Sequence, residues 1–210
     1  MLYITADHIT SPYQGLFYSL FCSHMSMPYN PAYDLARDVF LVGCYTAQRV
    51  SDYSRIRAKN IRKLENGIRV IELIQQKTKE KVIIPIRPEL EEILKKYSYN
   101  LPKVYEQKVN KNIKEVGKLA GIKEMINPET IKGGLTVKTE TPKHQLIKTH
   151  TARRSGCTNM YLAGISPIDI MKISGHKSGK EFKKYINVTR EQTAISLTSH
   201  PYFRGLKVVK

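Results

Sequence analysis

Acidic residues are scarce in this chain. Eighteen Asp and Glu stand against 35 Lys and Arg, a formal net charge of +17 over 210 residues. Small soluble domains sit at a magnitude of ~2–8, so solubility alone does not require such an excess. The imbalance points first to a polyanionic partner, and nucleic acid is the commonest one. Cysteine is sparse too. The three present, Cys22, Cys44 and Cys157, are odd in number and share no metal-like spacing. That disfavours a disulfide framework or a zinc ribbon and favours a reducing compartment. Long apolar runs are missing: Leu16 to Cys22 falls far short of the ~20 residues of a membrane span. No Lys or Arg precedes Arg37, so a secretory signal's basic region is missing as well. The chain reads as intracellular, with no membrane partner. Internal repeats and low-complexity linkers are lacking, and a hydrophobic content of 41% excludes a disordered basic tail. The length suits one domain over residues 1–210, with 1–30 as a lead-in segment and 188–210 as a C-terminal tail or helix.

Helical patterning dominates. Asn30-Pro31 has the form of a helix start, with Asn as cap and Pro at the first turn. Leu35, Val39 and Val42 follow at helical spacing, and Phe40 and Leu41 make the segment apolar nearly all round. This is a core helix running to Thr46. Ser51 is expected to cap a short helix bearing Tyr53 and Ile56. Residues 61–86 change texture: Ile68 to Ile74 and Val82 to Ile86 read as strands of a small antiparallel sheet. Helices resume at Leu90, Ile93, Leu94 and Tyr97, with Glu91–Lys95 and Glu92–Lys96 as expected i,i+4 pairs. Another helix carries Val109, Ile113 and Val116 and ends at Gly121. Residues 122–148, with Gly133-Gly134, suggest a loop and hairpin. Helices follow from Thr149 to Gly164, from Ser166-Pro167 to Gly175, around Phe182, Tyr185 and Ile186, and from Thr189, where Gln192 completes a capping box. The fold class is mainly α, with a small antiparallel β-sheet inserted in the N-terminal third.

Certain polar residues stand out from this pattern. His150-Thr-Ala-Arg153 places a histidine and an arginine on one helix face, although a cation there opposes the helix dipole. Gly175-His176 projects an imidazole from a sharp turn, and Tyr185 lies nine residues further on, flanked by Lys183 and Lys184. Upstream, Arg49 precedes Val-Ser-Asp52, and Lys77 sits at a strand end. Two guanidiniums can grip the non-bridging oxygens of a phosphodiester and stabilise developing charge. A tyrosine hydroxyl, with its pKa of ~10, becomes a nucleophile when a basic cluster stabilises its anion. A lysine can protonate the leaving alkoxide. Together these residues suffice to make a phosphotyrosine linkage without a metal or other cofactor.

In these motifs the chain resembles the catalytic domain of the tyrosine recombinase, or phage integrase, family. The family pattern has Arg in a Thr-Gly-x-Arg-x-x-Glu/Asp context, Lys on a β-hairpin, His-x-x-Arg, and then Gly-His with Tyr nine residues later. Arg49, Lys77, His150, Arg153, His176 and Tyr185 match it across residues 30–190. The segments Asp38 to Ala47 and Lys77 to Ile86 also resemble integrases of bacterial mobile elements. The resemblance implies that Tyr185 forms a 3′-phosphotyrosyl bond while Arg49 and Arg153 clamp the phosphate. It implies Lys77 as general acid, His150 assisting proton transfer, and His176 bonding the phosphate or positioning Tyr185. Asp52 would brace Arg49, and Lys143, Lys148, Lys183 and Lys184 would contact DNA phosphates. Double-stranded DNA is the implied partner, with a tetramer on two duplexes, a monomer when free, and action at the nucleoid in a bacterial cytoplasm. Ala47 and Gln48 depart from the family's Gly and apolar residue. An N-terminal core-binding domain is expected to be absent, because residues 1–36 are short and contain no Lys or Arg. Two other readings stay open: a type IB topoisomerase that relaxes DNA by the same chemistry, and an inactive basic DNA-binding module.

Overall fold

A computed structural model describes residues 30–127, 129–132, 135–186, 188–198 and 200–203. Cys22, the lead-in before Asn30 and the Gly133-Gly134 turn lie outside the described residues. Helix α1, Pro31–Thr46, starts as its cap requires: Asn30 has extended backbone, and its Oδ1 accepts from Ala32 N at 2.9 Å. Every residue from Ala36 to Thr46 is buried, because α1 runs through the centre of the molecule. The chain leaves it at Ala47, which is left-handed at φ 53°, and enters the short helix α2, Val50–Tyr53. Arg49, not Ser51, occupies the cap position of α2. The extended backbone at Arg49 starts the helix two residues before the expected hydroxyl cap.

A three-stranded antiparallel sheet follows, in the order β1 (Ile61–Lys63), β2 (Arg69–Ile74), β3 (Lys81–Pro85). Ile71 faces Ile61 on one side and Ile84 on the other. In β3, Val82 and Ile84 point inward and their neighbours outward, the period-2 alternation of a sheet with one covered face. Helix α3, Pro88–Lys96, lays Leu90, Ile93 and Leu94 on the core. Lys96 and Glu91 pair off the helix instead of with i,i+4 partners. Lys96 Nζ reaches Asp34 at 2.5 Å and Asp38 at 2.6 Å, while Glu91 takes Arg69 and Tyr99. A carboxylate on a packed neighbouring element holds a long side chain better than a frayed i,i+4 partner.

Helix α4, Glu106–Leu119, leads into two hairpin-like pairings. Strand β4 (Met125–Ile126) pairs with β7 (Thr141–Pro142), and β5 (Glu129–Lys132) pairs with β6 (Leu135–Lys138). Then come α5 (Thr149–Leu162), α6 (Pro167–Ser174), α7 (Gly179–Lys183) and α8 (Arg190–Thr198). Ser166 caps α6 through Asp169 N, and Thr189 and Gln192 exchange the reciprocal bonds of a capping box. No helix among the described residues is long and apolar enough to cross a membrane.

The core forms on both sides of α1. Leu41, Val42 and Tyr45 pack with Ile71, Ile84, Leu90 and Leu94, whereas Phe40 and Cys44 pack with Ile113, Val116, Ile147 and Ala152. A third, smaller cluster joins Ala47, Cys157, Ile170 and Phe182, with Tyr185 packed against it. Helix α5 reaches α1 closely because Gly156 faces Cys44 O, which a Cβ would approach to 2.3 Å. Gly156→Ala should therefore force the two helices apart and destabilise the fold by ~1–3 kcal/mol or more. This is measurable as a lower denaturant midpoint at unchanged slope, and an unaltered midpoint would show that the contact is soft.

Candidate active site

The end of α1, the face of α5 and the end of α6 meet at one side chain. Arg153 is wholly buried, at 0% exposure. An unpaired buried guanidinium is costly, and neutral groups from other elements take its Nη1 and Nη2. Nη1 donates to Ala47 O at 2.7 Å and to Ser174 O at 2.8 Å, and Nη2 faces His176 Nε2 at 3.0 Å. Because arginine only donates, Nε2 must present its lone pair. The other ring nitrogen agrees: Ser174 Oγ gives its own proton to Ile170 O at 2.6 Å and accepts from His176 Nδ1 at 2.7 Å. Burial first, and the nearby charges of Arg153 and Arg49 next, lower the pKa of His176 to about 3. His176 is neutral at physiological pH.

Ala47 supplies its carbonyl to Arg153 by adopting the left-handed turn where the family pattern has glycine. That conformation costs a residue with a Cβ roughly 1–2 kcal/mol. Its methyl is buried among Cys157, Ile170 and Phe182, which offsets part of that cost. Gly175 closes α6 at φ 70°, and a Cβ there would lie 2.4 Å from Gln75 Oε1. Only glycine meets both conditions.

Tyr185 is half-buried in the turn just beyond α7, not on the helix. Its N–H donates to Phe182 O at 2.8 Å, and Thr158 Oγ1 donates to its carbonyl at 2.9 Å. The ring lies 4.4 Å from that of His176 and 5.3 Å from that of His150, and the Arg153 guanidinium carbon is 5.4 Å from its centroid. His150 sits at the exposed rim on the first turn of α5. Loss of hydration on its inward edge, and then repulsion by Arg153, Arg154 and Arg49, holds its pKa below the ordinary histidine value.

Arg49 is the second guanidinium of the pocket. Its charge bears on Arg153, His150 and His176. Among the described residues, Nη1 of Arg49 and Nε of Arg153 are buried donors with no acceptor. The Arg153 pKa is lowered by burial and by Arg49. Two adjacent cations with unfilled donors are chemically complementary to an oxyanion.

The expected brace from Asp52 to Arg49 is replaced by another contact. Asp52 Oδ1 accepts from Gln76 N at 2.7 Å and from Arg55 Nη2 at 3.2 Å. Asp52 therefore holds the β2–β3 turn, because that turn packs over α2. Lys77 stands exposed in the same turn, and among the described residues its ammonium has no partner. Of the lysines expected at DNA, Lys148 immediately precedes α5 and Lys183 is exposed beside the tyrosine turn. Lys143 is paired with Glu124, 19 residues away in the chain, and Lys184 with Glu181 at i,i+3 spacing. Gln75, Gln48 and Ser174 join this end of the pocket although no motif marks them. Gln48 carried the one available signal, a polar residue where an apolar one is usual.

The fold and this pocket together define a catalytic domain of the tyrosine recombinase type. The profile of the Phage integrase family matches residues 25–192, and the chain belongs to that family. Solved structures agree on the fold. XerH site-specific recombinase, in a post-cleavage complex with palindromic difH substrate, superposes with a TM-score of 0.60 at 13% identity, over 89% of this chain and 50% of its own. XerA recombinase gives 0.59 at 16%, over 96% and 65%. A lambda integrase dimer bound to a COC' core site gives 0.53 at 17%, over 94% and 59%. The chain thus spans about half to two thirds of these proteins. No curated protein matches the sequence.

The histidine environment carries a pH signature. The unfolded chain binds a proton at His176 below its ordinary 6.5, whereas the folded chain does so only near 3. Stability therefore falls as pH drops through that window. His176→Phe should flatten this part of a plot of melting temperature against pH, and an unchanged slope would show that His176 titrates normally.

Proposed function

We propose that the chain is the catalytic domain of a site-specific DNA recombinase that cleaves and rejoins duplexes through a 3′-phosphotyrosyl intermediate. The observation carrying this reading is the pair of guanidiniums with unfilled buried donors beside a tyrosine ring and two histidines. In the proposed step, Tyr185 Oη attacks phosphorus and the bond to the 5′ oxygen breaks. The tyrosyl proton leaves through His150, which is neutral and can accept it. Arg49 and Arg153 hold the non-bridging oxygens as charge builds. Lys77 gives a proton to the departing 5′ oxygen, producing a free hydroxyl. A second hydroxyl reverses the sequence, so the ester's energy is retained and no nucleotide cofactor is required.

Assembly on DNA draws on α8. It buries none of its residues and exposes Ile195 and Leu197, which suits a helix seated on a neighbouring protomer of a tetramer. The chain's net charge of +17 supports duplex DNA as the partner.

The test is covalent capture from a pool of randomised, singly nicked duplexes, read as an SDS-stable adduct whose DNA is then sequenced. The chain should form the adduct in the presence of EDTA. Tyr185→Phe should form none while retaining salt-sensitive binding to the same pool, and an adduct from this variant overturns the nucleophile. Arg49→Ala or Arg153→Ala should slow adduct formation by ~2–4 kcal/mol of barrier. Efficient relaxation of plasmid DNA without paired sites would instead indicate a topoisomerase, and salt-sensitive binding with no adduct from any duplex an inactive binding module.

A further inference from the structure

Gln75 is fully buried although it opens a turn whose next residues, Gln76 and Lys77, are exposed. Its Nε2 donates to Ser174 O at 2.7 Å and to Gln48 Oε1 at 2.5 Å, while its Oε1 accepts from Thr78 Oγ1. Gln48, also fully buried, donates from Nε2 to Ile173 O at 2.7 Å and to Thr46 O at 3.0 Å. The Ser174 carbonyl that receives Gln75 is the one that receives Arg153 Nη1 at 2.8 Å. One oxygen is therefore shared by the buried guanidinium and by the base of the lysine turn. Further ties act on the same turn: Gln76 N–H to Asp52 at 2.7 Å, and Glu80 to Lys177, the residue after His176, at 2.7 Å.

We propose that Gln75, held by Gln48, is a positioning residue that registers the Lys77 turn against the Arg153–His176 end of the pocket. This rests on the assignment of Lys77 as general acid. The turn cannot slide relative to Arg153 without leaving buried amide groups and a shared carbonyl unpaired, a penalty no exposed loop incurs. The flanking residues Gln76 and Thr78 are fixed from below, so the ammonium reaches the leaving oxygen by side-chain rotation alone. A pair that only filled the interior would lower stability and leave the acid step unchanged.

The test uses the duplex recovered by covalent capture, made with oxygen or with sulfur as the 5′ bridging atom at the scissile phosphate. With sulfur, the P–S bond breaks and a thiolate leaves as the anion, a far weaker base than an alkoxide, so no acid is needed. Gln75→Leu should slow cleavage of the oxygen duplex on the order of 10–100-fold and return to within about threefold of the unaltered chain on the sulfur duplex. Lys77→Ala should show the same rescue. Equal losses on both duplexes, or no loss on either, overturn the proposal. Should Gln75→Leu fail to fold, Thr78→Val, which removes the hydroxyl on Gln75 Oε1, carries the same comparison with a smaller split. Without DNA, Gln75→Leu should speed amide exchange at residues 76–80 by about tenfold or more, and unchanged exchange also overturns the anchoring. A capture that yields no adduct from any duplex would refute the proposed function, and a Lys77→Ala defect that sulfur fails to relieve would refute the acid assignment. A rescued Lys77→Ala beside an unrescued Gln75→Leu counts against the positioning role alone.

Discussion

A guanidinium buried without a carboxylate is the constraint around which this molecule is arranged. The desolvation of Arg153 is opposed by carbonyl oxygens from the ends of α1 and α6 and by the lone pair of His176. Removing a charge of this kind from water costs several kcal/mol even after relaxation, so the elements carrying those acceptors must be in place together. The hydrogen-bonding partners of Arg153 are neutral. Its positive charge thus survives burial and, with that of Arg49, gives the pocket an affinity for an anion supplied from outside.

The electrostatics of the other groups follow from that charge. His176 stays neutral because it is buried beside Arg153, and its tautomer is set by the chain from Ser174 to Ile170. His150, on the rim, is biased toward its neutral form by the same positive field. A neutral imidazole next to the Tyr185 ring can receive a proton, which an imidazolium could not. The packing that buries Arg153 and the acid–base state of its neighbours have one cause.

Close packing transmits this arrangement to the β2–β3 turn. Gly156 lets α5 approach α1, Gly175 lets Gln75 approach the end of α6, and Ala47 accepts a left-handed backbone to aim its carbonyl inward. Substituting larger residues at the two glycines would push apart elements that share the ligands of one side chain. The departures from the family pattern at Ala47 and Gln48 are accommodated within this packing. The methyl of Ala47 fills the small cluster behind Tyr185, and Gln48 joins the amide network under the lysine turn.

The sequence by itself determined the elements and marked the polar residues that line the pocket, because both are written in local patterns. The caps at Asn30, Ser166 and Thr189 and the 3.6-residue apolar spacing of α1 and α4 depend on neighbours a few positions away, as does the His-x-x-Arg face of α5. Tertiary structure alone decided what supports those groups. Gln75 meets Gln48 from 27 residues away and Ser174 from 99 residues away, and Asp52 reaches Gln76 across 24. Such contacts have no period and no spacing, so Asp52 was expected at Arg49, and Lys96 within its own helix. Lys143, expected at DNA phosphates, meets Glu124 from 19 residues away. A charged side chain takes the partner that lies nearest in space at the lowest desolvation cost, and that partner is defined only once the chain has folded.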